Sequence, residues 1–239
     1  LEGEGFSDVI VLPEDRHLGD AISRSNIDLV WLNSGGVQGL NPMAHAPALL
    51  EMLGVPYIGH NPLAASLLDN KHVFKSMCIA ASLPTARSVV INPWIEGCRP
   101  IESDNFGSVF QGFSGPFVIK PVSGRASKNV YFVDSKREVG HAVEKVWKQT
   151  GHLCLIEEYL PGNEFAISIM GSRVRQDGEF VTHDRPFAFS AVQRCFELNE
   201  KIFTSMDEKP ITYERIRLLD LSRERELISK MEDLARKVF

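Results

Sequence analysis

Along this chain, short apolar runs alternate with stretches in which apolar residues recur every three or four positions. Residues 8–12 (DVIVL) and 27–32 (IDLVWL) predict strands of a covered, largely parallel sheet. Residues 46–53 (APALLEML) predict a helix, with Gly54 as its stop and a short strand after it. Leu63, Leu67, Phe74, Met77, Cys78 and Ala81 predict a helix over 62–81, ended by Pro84. Residues 85–115 mix Gly and Pro with apolar positions and predict loops and short strands. A strand at 116–121, bounded by prolines, faces a second at 129–133 across a hairpin connection. Val139, Ala142, Val143, Val146 and Trp147 keep helical spacing. Strands follow at 153–158 and 164–170. Between 172 and 220 the pattern breaks, with short strands at Phe180-Val181, 187–192 and Ile202-Phe203 inside a long excursion, either a functional loop or a disordered one. Leu227, Met231, Leu234 and Val238 then mark a helix running to Phe239.

Composition narrows the function classes. A chain of 239 residues suits two or three modest subdomains, and 44% hydrophobic with 24% charged residues is ordinary for a globular protein. The net charge of −5, with neither sign in a block, argues against nucleic acid as the main partner. Cys78, Cys98, Cys154 and Cys195 are scattered, which excludes a disulfide framework or a cysteine zinc site as the organising principle. No run approaches the roughly 20 apolar residues that span a bilayer, and a cytoplasmic setting is the expectation. A start at Leu1 and a helix still running at Phe239 predict a piece of a longer protein.

The chemistry concentrates in Leu155-Ile156-Glu157-Glu158-Tyr159-Leu160-Pro161-Gly162-Asn163-Glu164. Carboxylates at a strand end, a proline-glycine bend and one more acid suit a neutral, hydroxyl-rich ligand such as adenosine. Lys120 ends an apolar strand; it is either an edge lysine reaching water or a phosphate contact. Val122-Ser123-Gly124-Arg125-Ala126-Ser127-Lys128-Asn129 follows directly. Its small residues and two cations can cradle phosphate oxygens, or it is a plain hairpin turn. Lys71 alone reads as a solvent-facing helical lysine. The combination and order of these features make an ATP site the leading reading.

That order carries a resemblance to the ATP-grasp superfamily, and within it to the D-alanine–D-alanine ligases, over residues 49–171. LLEMLGVPYIGHNPLAASLLDNKHVFK resembles the ligases' stretch up to their first phosphate lysine, and ASLPTA their "aGLPTP" turn. GPFVIKPVSG is similar to the strand ending in their second lysine, and LIEEYLPGNEFAISIMG to their adenine hinge. The resemblance implies that Lys71 and Lys120 contact the ATP phosphates, with Ser123, Gly124 and Ser127 in the phosphate lid. It implies that Glu157 and the backbone of Glu158 and Leu160 hold adenine, and that Glu164 binds the ribose hydroxyls. It further implies Mg2+, an acyl phosphate attacked by an amine, amino-acid substrates and a homodimer.

The sequence also departs from the ligases. Where their lid commonly reads G-S-S-x-G, this chain has Arg125-Ala126-Ser127-Lys128-Asn129. Their acidic loop "HG-x-x-GE-D-G" is replaced by residues 33–45, which contain no carboxylate. Gly35, Gly36, Gln38, Asn41 and His45 are weaker candidates to line an acceptor site there; a glycine-rich connection is the equal alternative. The expected metal-ligating acids and asparagine lie beyond Phe239. The expected fold is α/β and α+β: an N-terminal pre-ATP-grasp α/β domain (1–68), an ATP-binding small subdomain (69–160) and the start of a central ATP-grasp subdomain (161–239). The expected function is an ATP-dependent carboxylate–amine ligase similar to D-alanine–D-alanine ligase. Its rivals are a ligase for other amino acids or acids, a non-catalytic nucleotide-binding module, and an adaptor that binds no nucleotide.

Overall fold

The computed structural model describes residues 8–36, 41–176, 178–198, 200–202 and 212–239. The chain divides into two compact units, Leu1–Lys75 and Ser76–Phe239.

The first unit holds α1 (Leu18–Arg24), β1 (Val30–Trp31), α2 (His45–Leu53), β2 (Tyr57–Ile58), α3 (Pro62–Asp69) and the opening of α4 (Lys71–Ala80). β1 and β2 pair in parallel, Val30 opposite Tyr57 and Trp31 opposite Ile58. Gly54 stops α2 in the left-handed conformation expected of a C-terminal glycine, at φ 68°. Two expectations need correction. Residues 8–12 form no strand: a β-branched run becomes a strand only when a neighbour satisfies its backbone, and no described strand pairs with it. The helix expected over 62–81 is two helices broken at Asn70, whose extended backbone ends α3 while its side-chain oxygen accepts from the Val73 N–H at 3.1 Å.

The second unit is built on an antiparallel sheet of β3 (Ser88–Ile91), β4 (Phe117–Pro121), β5 (Tyr131–Val133) and β6 (Cys154–Glu158), in the order β3-β6-β4-β5. The alternation along the strands explains its sidedness. Phe117 and Ile119 of β4, Cys154 and Ile156 of β6, and Val89 and Ile91 of β3 share one core with Val139, Ala142, Val143 and Val146 of α7 (Lys136–Thr150). Phe106 and Phe110 complete it, Phe106 from the short α6 (Asp104–Val109), which with α5 (Pro93–Glu96) puts helical turns where only loops and strands were expected. Glu138 reaches back to the Ser135 N–H at 3.2 Å to start α7.

The predicted strand 164–170 is two strands, β7 (Glu164–Ala166) and β8 (Ile169–Met170). The excursion after it contains a hairpin, β9 (Arg173–Gln176) with β10 (Glu179–Thr182). β11 (Phe187–Ala188) and β12 (Val192–Arg194) stand where one strand was expected over 187–192, and β13 (Ile216–Leu218) follows. β12 lies between β7 and β13. Ile228 of the closing α8 (Arg225–Val238) packs with Ala191 and Leu219. Phe203 lies outside the described residues, so the strand expected at 202–203 is not described.

Candidate functional site

The face of the sheet opposite α7 carries the site. Odd positions of β4 enter the core, so Lys120 falls on the other face; β6 likewise turns Leu155 and Glu157 there. The register sets Lys120 opposite Leu155 and Val118 opposite Glu157, which makes Lys120 and Glu157 diagonal neighbours. They form an ion pair, with side-chain exposures of 22% and 11%. A lysine on a largely buried face thus has its counter-charge on the adjacent strand, which offsets the cost of desolvating it.

The lid loop begins where β4 ends. The Val122 N–H donates to the Leu153 carbonyl at 3.0 Å, and Ser123 is buried. The loop then tightens through Lys128 N–H to Arg125 O (3.1 Å) and Val130 N–H to Ser127 O (3.3 Å). Ala126 and Ser127, at φ 57° and 56°, are consecutive left-handed residues, as is Asn129 at 58°. With the Lys128 N–H closing on Arg125 O, the left-handed pair Ala126-Ser127 forms the centre of a tight turn.

At the other end of β6 lies the hinge. The Glu158 N–H donates to Arg87 O at 3.1 Å and the Tyr159 N–H to Pro116 O at 3.0 Å. The Tyr159 ring meets Phe132 edge-on at 5.0 Å. Pro116 is held by Gly115, where a side chain would come within 2.4 Å of the Asp134 carbonyl and φ is +127°; only glycine fits there. Leu160 is exposed. Glu164, opening β7, is opposite Arg194 of β12 and ion-paired with it.

The eight site candidates from Lys120 to Glu164 therefore lie on β4, the lid, β6, the hinge and β7 of the second unit, with Lys120 and Glu157 in direct contact. Lys71 opens α4 in the first unit. Among the acceptor-loop candidates, Gly35 and Gly36 follow β1, Asn41 precedes a 3₁₀ turn and His45 begins α2, while Gln38 lies outside the described residues. Ser34 of that loop donates to Glu14, so a carboxylate absent from the loop's own sequence reaches it from upstream. Sequence reasoning missed Arg87, Arg194 and Glu14. Each is brought to its place by pairing or packing with residues distant in the chain, and no local pattern marks it. Among the described residues no three His, Cys, Asp or Glu stand together as a metal-holding group, and no helix is long and apolar enough to cross a membrane.

Residues 113–174, which contain β4, the lid, β6 and the hinge, match the ATP-grasp domain family. The chain carries an ATP-grasp domain and is a distant homologue of D-alanine–D-alanine ligases. It is 29% identical over 168 residues to the D-alanine–D-alanine ligase of Carboxydothermus hydrogenoformans, covering 69% of this chain and 51% of that one. It is 28% identical over 191 residues to that of Geobacter sulfurreducens, covering 80% and 56%. The fold is similar to the VanG D-Ala:D-Ser ligase of Enterococcus faecalis, with a TM-score of 0.61 at 17% identity over 89% of this chain and 56% of that one. The chain spans about half the length of the ligases it matches.

Proposed function

We propose that this chain is the nucleotide-holding part of an ATP-dependent carboxylate–amine ligase similar to D-alanine–D-alanine ligase. The observation that carries this reading is the placement of Lys120, the lid and the hinge around one sheet, inside the segment that matches the ATP-grasp domain. The division of labour follows from the chemistry. Lys120 donates to a phosphate oxygen, and Glu157 holds the ammonium at the sheet face until the nucleotide arrives. Lid amides around Ala126 and Ser127 take further phosphate oxygens, with Arg125 and Lys128 supplying charge. The backbone at Glu158 and Leu160 meets adenine, and Glu164 accepts from the ribose hydroxyls. Lys71 joins the phosphates. A loop closed over the site keeps water from an acyl phosphate. Magnesium, when bound, would neutralise charge developing on the phosphates; among the described residues no three His, Cys, Asp or Glu stand together to hold it. In this reading the N-terminal α/β part, the ATP-binding part and the beginning of a central subdomain divide near residues 68 and 160. The acid and the amine are amino acids, and because residues 33–45 hold no carboxylate, a ligase for other amino acids is the second reading.

Calorimetric titration with a non-hydrolysable ATP analogue tests the site. Lys120→Ala removes a charged hydrogen bond, so affinity should fall by about ten- to a hundredfold; Glu164→Ala should weaken it about tenfold. Folded variants that bind as tightly as the parent, or a folded parent that binds nothing, would overturn the assignment.

A further inference from the structure

Three carboxylates crowd the hinge segment, and each already has a cation: Glu157 has Lys120, Glu164 has Arg194, and Glu158 has Arg87. The third pair differs in kind. Arg87 immediately precedes β3, and the antiparallel register of Ser88 with Glu157 brings it beside Glu158, 71 residues away. Four contacts then join the two residues. The Glu158 N–H donates to the Arg87 carbonyl at 3.1 Å. The Arg87 N–H donates to Glu158 Oε1 at 2.9 Å, and Nε and Nη2 each lie 2.7 Å from Oε2. The guanidinium also covers the Phe113 ring, 4.8 Å from its centroid, and Phe113 packs edge-on against Phe117 of β4 at 5.1 Å. The grip thus reaches from β3 through the hinge to the core aromatics.

We infer that Arg87 is a positioning residue that fixes the base-reading geometry of the hinge; the inference rests on the nucleotide site proposed above. Main-chain groups can read adenine only if their directions are set in advance. Adenine presents a donor (the 6-amino group) next to an acceptor (N1), whereas hypoxanthine presents an acceptor next to a donor. Arg87 and Pro116 take the Glu158 and Tyr159 N–H groups and so fix the direction of these peptides; in the proposed site the hinge groups left over match the first pattern and would be left unpaired by the second. Arg87 supplies this through its planar fork and stacked face together, which a lysine cannot do. Glu158 is accordingly a counter-ion for Arg87, and the nucleotide meets its backbone.

The test compares adenosine and inosine forms of a non-hydrolysable triphosphate analogue, with inorganic tripolyphosphate as a base-free probe. Titrations use the parent chain, Arg87→Ala and Arg87→Lys, each checked for folding by circular dichroism. The parent should prefer the adenine form by about tenfold or more. Both variants should reduce that preference to about threefold or less, with tripolyphosphate affinity unchanged. Should Arg87→Ala fail to fold, Arg87→Lys, which keeps charge and stem, decides alone. A folded variant that keeps the parent's base preference overturns the role of Arg87 and leaves the nucleotide site standing. A folded parent that binds neither nucleotide removes the site, and this inference with it.

Discussion

Cys154 and Lys120 occupy opposite faces of one strand pair, and the environment of each face decides the charge it tolerates. Cys154 lies in the core under α7, its sulfur 3.6 Å from the Val143 carbonyl. Burial pushes its thiol from the usual 9 up to about 12, and the nearby Cys98 adds to the rise. Lys120, on the other face, is ion-paired with Glu157. The Cys154 shift has a consequence for stability. Below pH 9 the thiol is protonated whether the chain is folded or not, so the contribution is fully present. Between about 9 and 12 the unfolded chain has lost this proton while the folded chain keeps it, and stability falls as pH rises. The slope from this one group approaches about 1.4 kcal/mol per pH unit. Urea unfolding of the parent and Cys154→Ala between pH 8 and 10.5 should show the gap between them changing with that sign. A constant gap would show that the thiol ionises alike in both states. Neither residue's surroundings could be read locally: the position of Lys120 at a strand end was legible, but its partner was not, because Glu157 reaches it only through the β4–β6 register.

At the scale of elements, the lid shows most clearly what periodicity conveys and what it omits. The strands on either side of it, the helix α7 and the strand β6 were all legible, because each combines a sustained apolar pattern with a turn or cap signal. The lid's composition was legible too. Its backbone was not: nothing in Arg125-Ala126-Ser127-Lys128-Asn129 indicates that three of the five residues are left-handed. Asn tolerates that conformation, but for Ala it costs about 1–2 kcal/mol. Ala126→Gly should therefore stabilise the fold by up to about 1 kcal/mol, although glycine replacing alanine usually destabilises through the entropy of the unfolded chain. Denaturant unfolding checks the sign. A loss of stability would mean that Ala126 leaves the left-handed well in solution. The breaks at Asn70 and between Ala166 and Ile169 were missed for a related reason. Apolar residues continue on both sides, so periodicity runs through a break that capping and strand pairing impose.

At the scale of the whole molecule, the two units differ in how much core they own. The second unit has thirteen buried residues in one cluster, spanning all four strands of its main sheet and α7. Among the described residues, the buried apolar positions of the first unit are Ile22, Ala46, Pro47, Leu50 and Ala65, and its sheet is a single pair of two-residue strands. Local opening free energy follows the apolar contact and backbone pairing that opening must break, so amides of a sparse core exchange at lower cost. Hydrogen exchange followed by mass spectrometry should thus find peptides covering 139–147 and 154–158 the slowest in the chain. Peptides covering 46–53 should exchange at least about tenfold faster. α2 is a good test because its sequence carries a strong helical pattern and a glycine stop, so intrinsic propensity alone would protect it. Equal protection in α2 and α7 would mean that local propensity outweighs core size in this protein. The predicted hierarchy means instead that the sheet bearing Lys120 and Glu157 is the rigid part of the chain, on which a nucleotide's phosphates and base could be held in fixed relation.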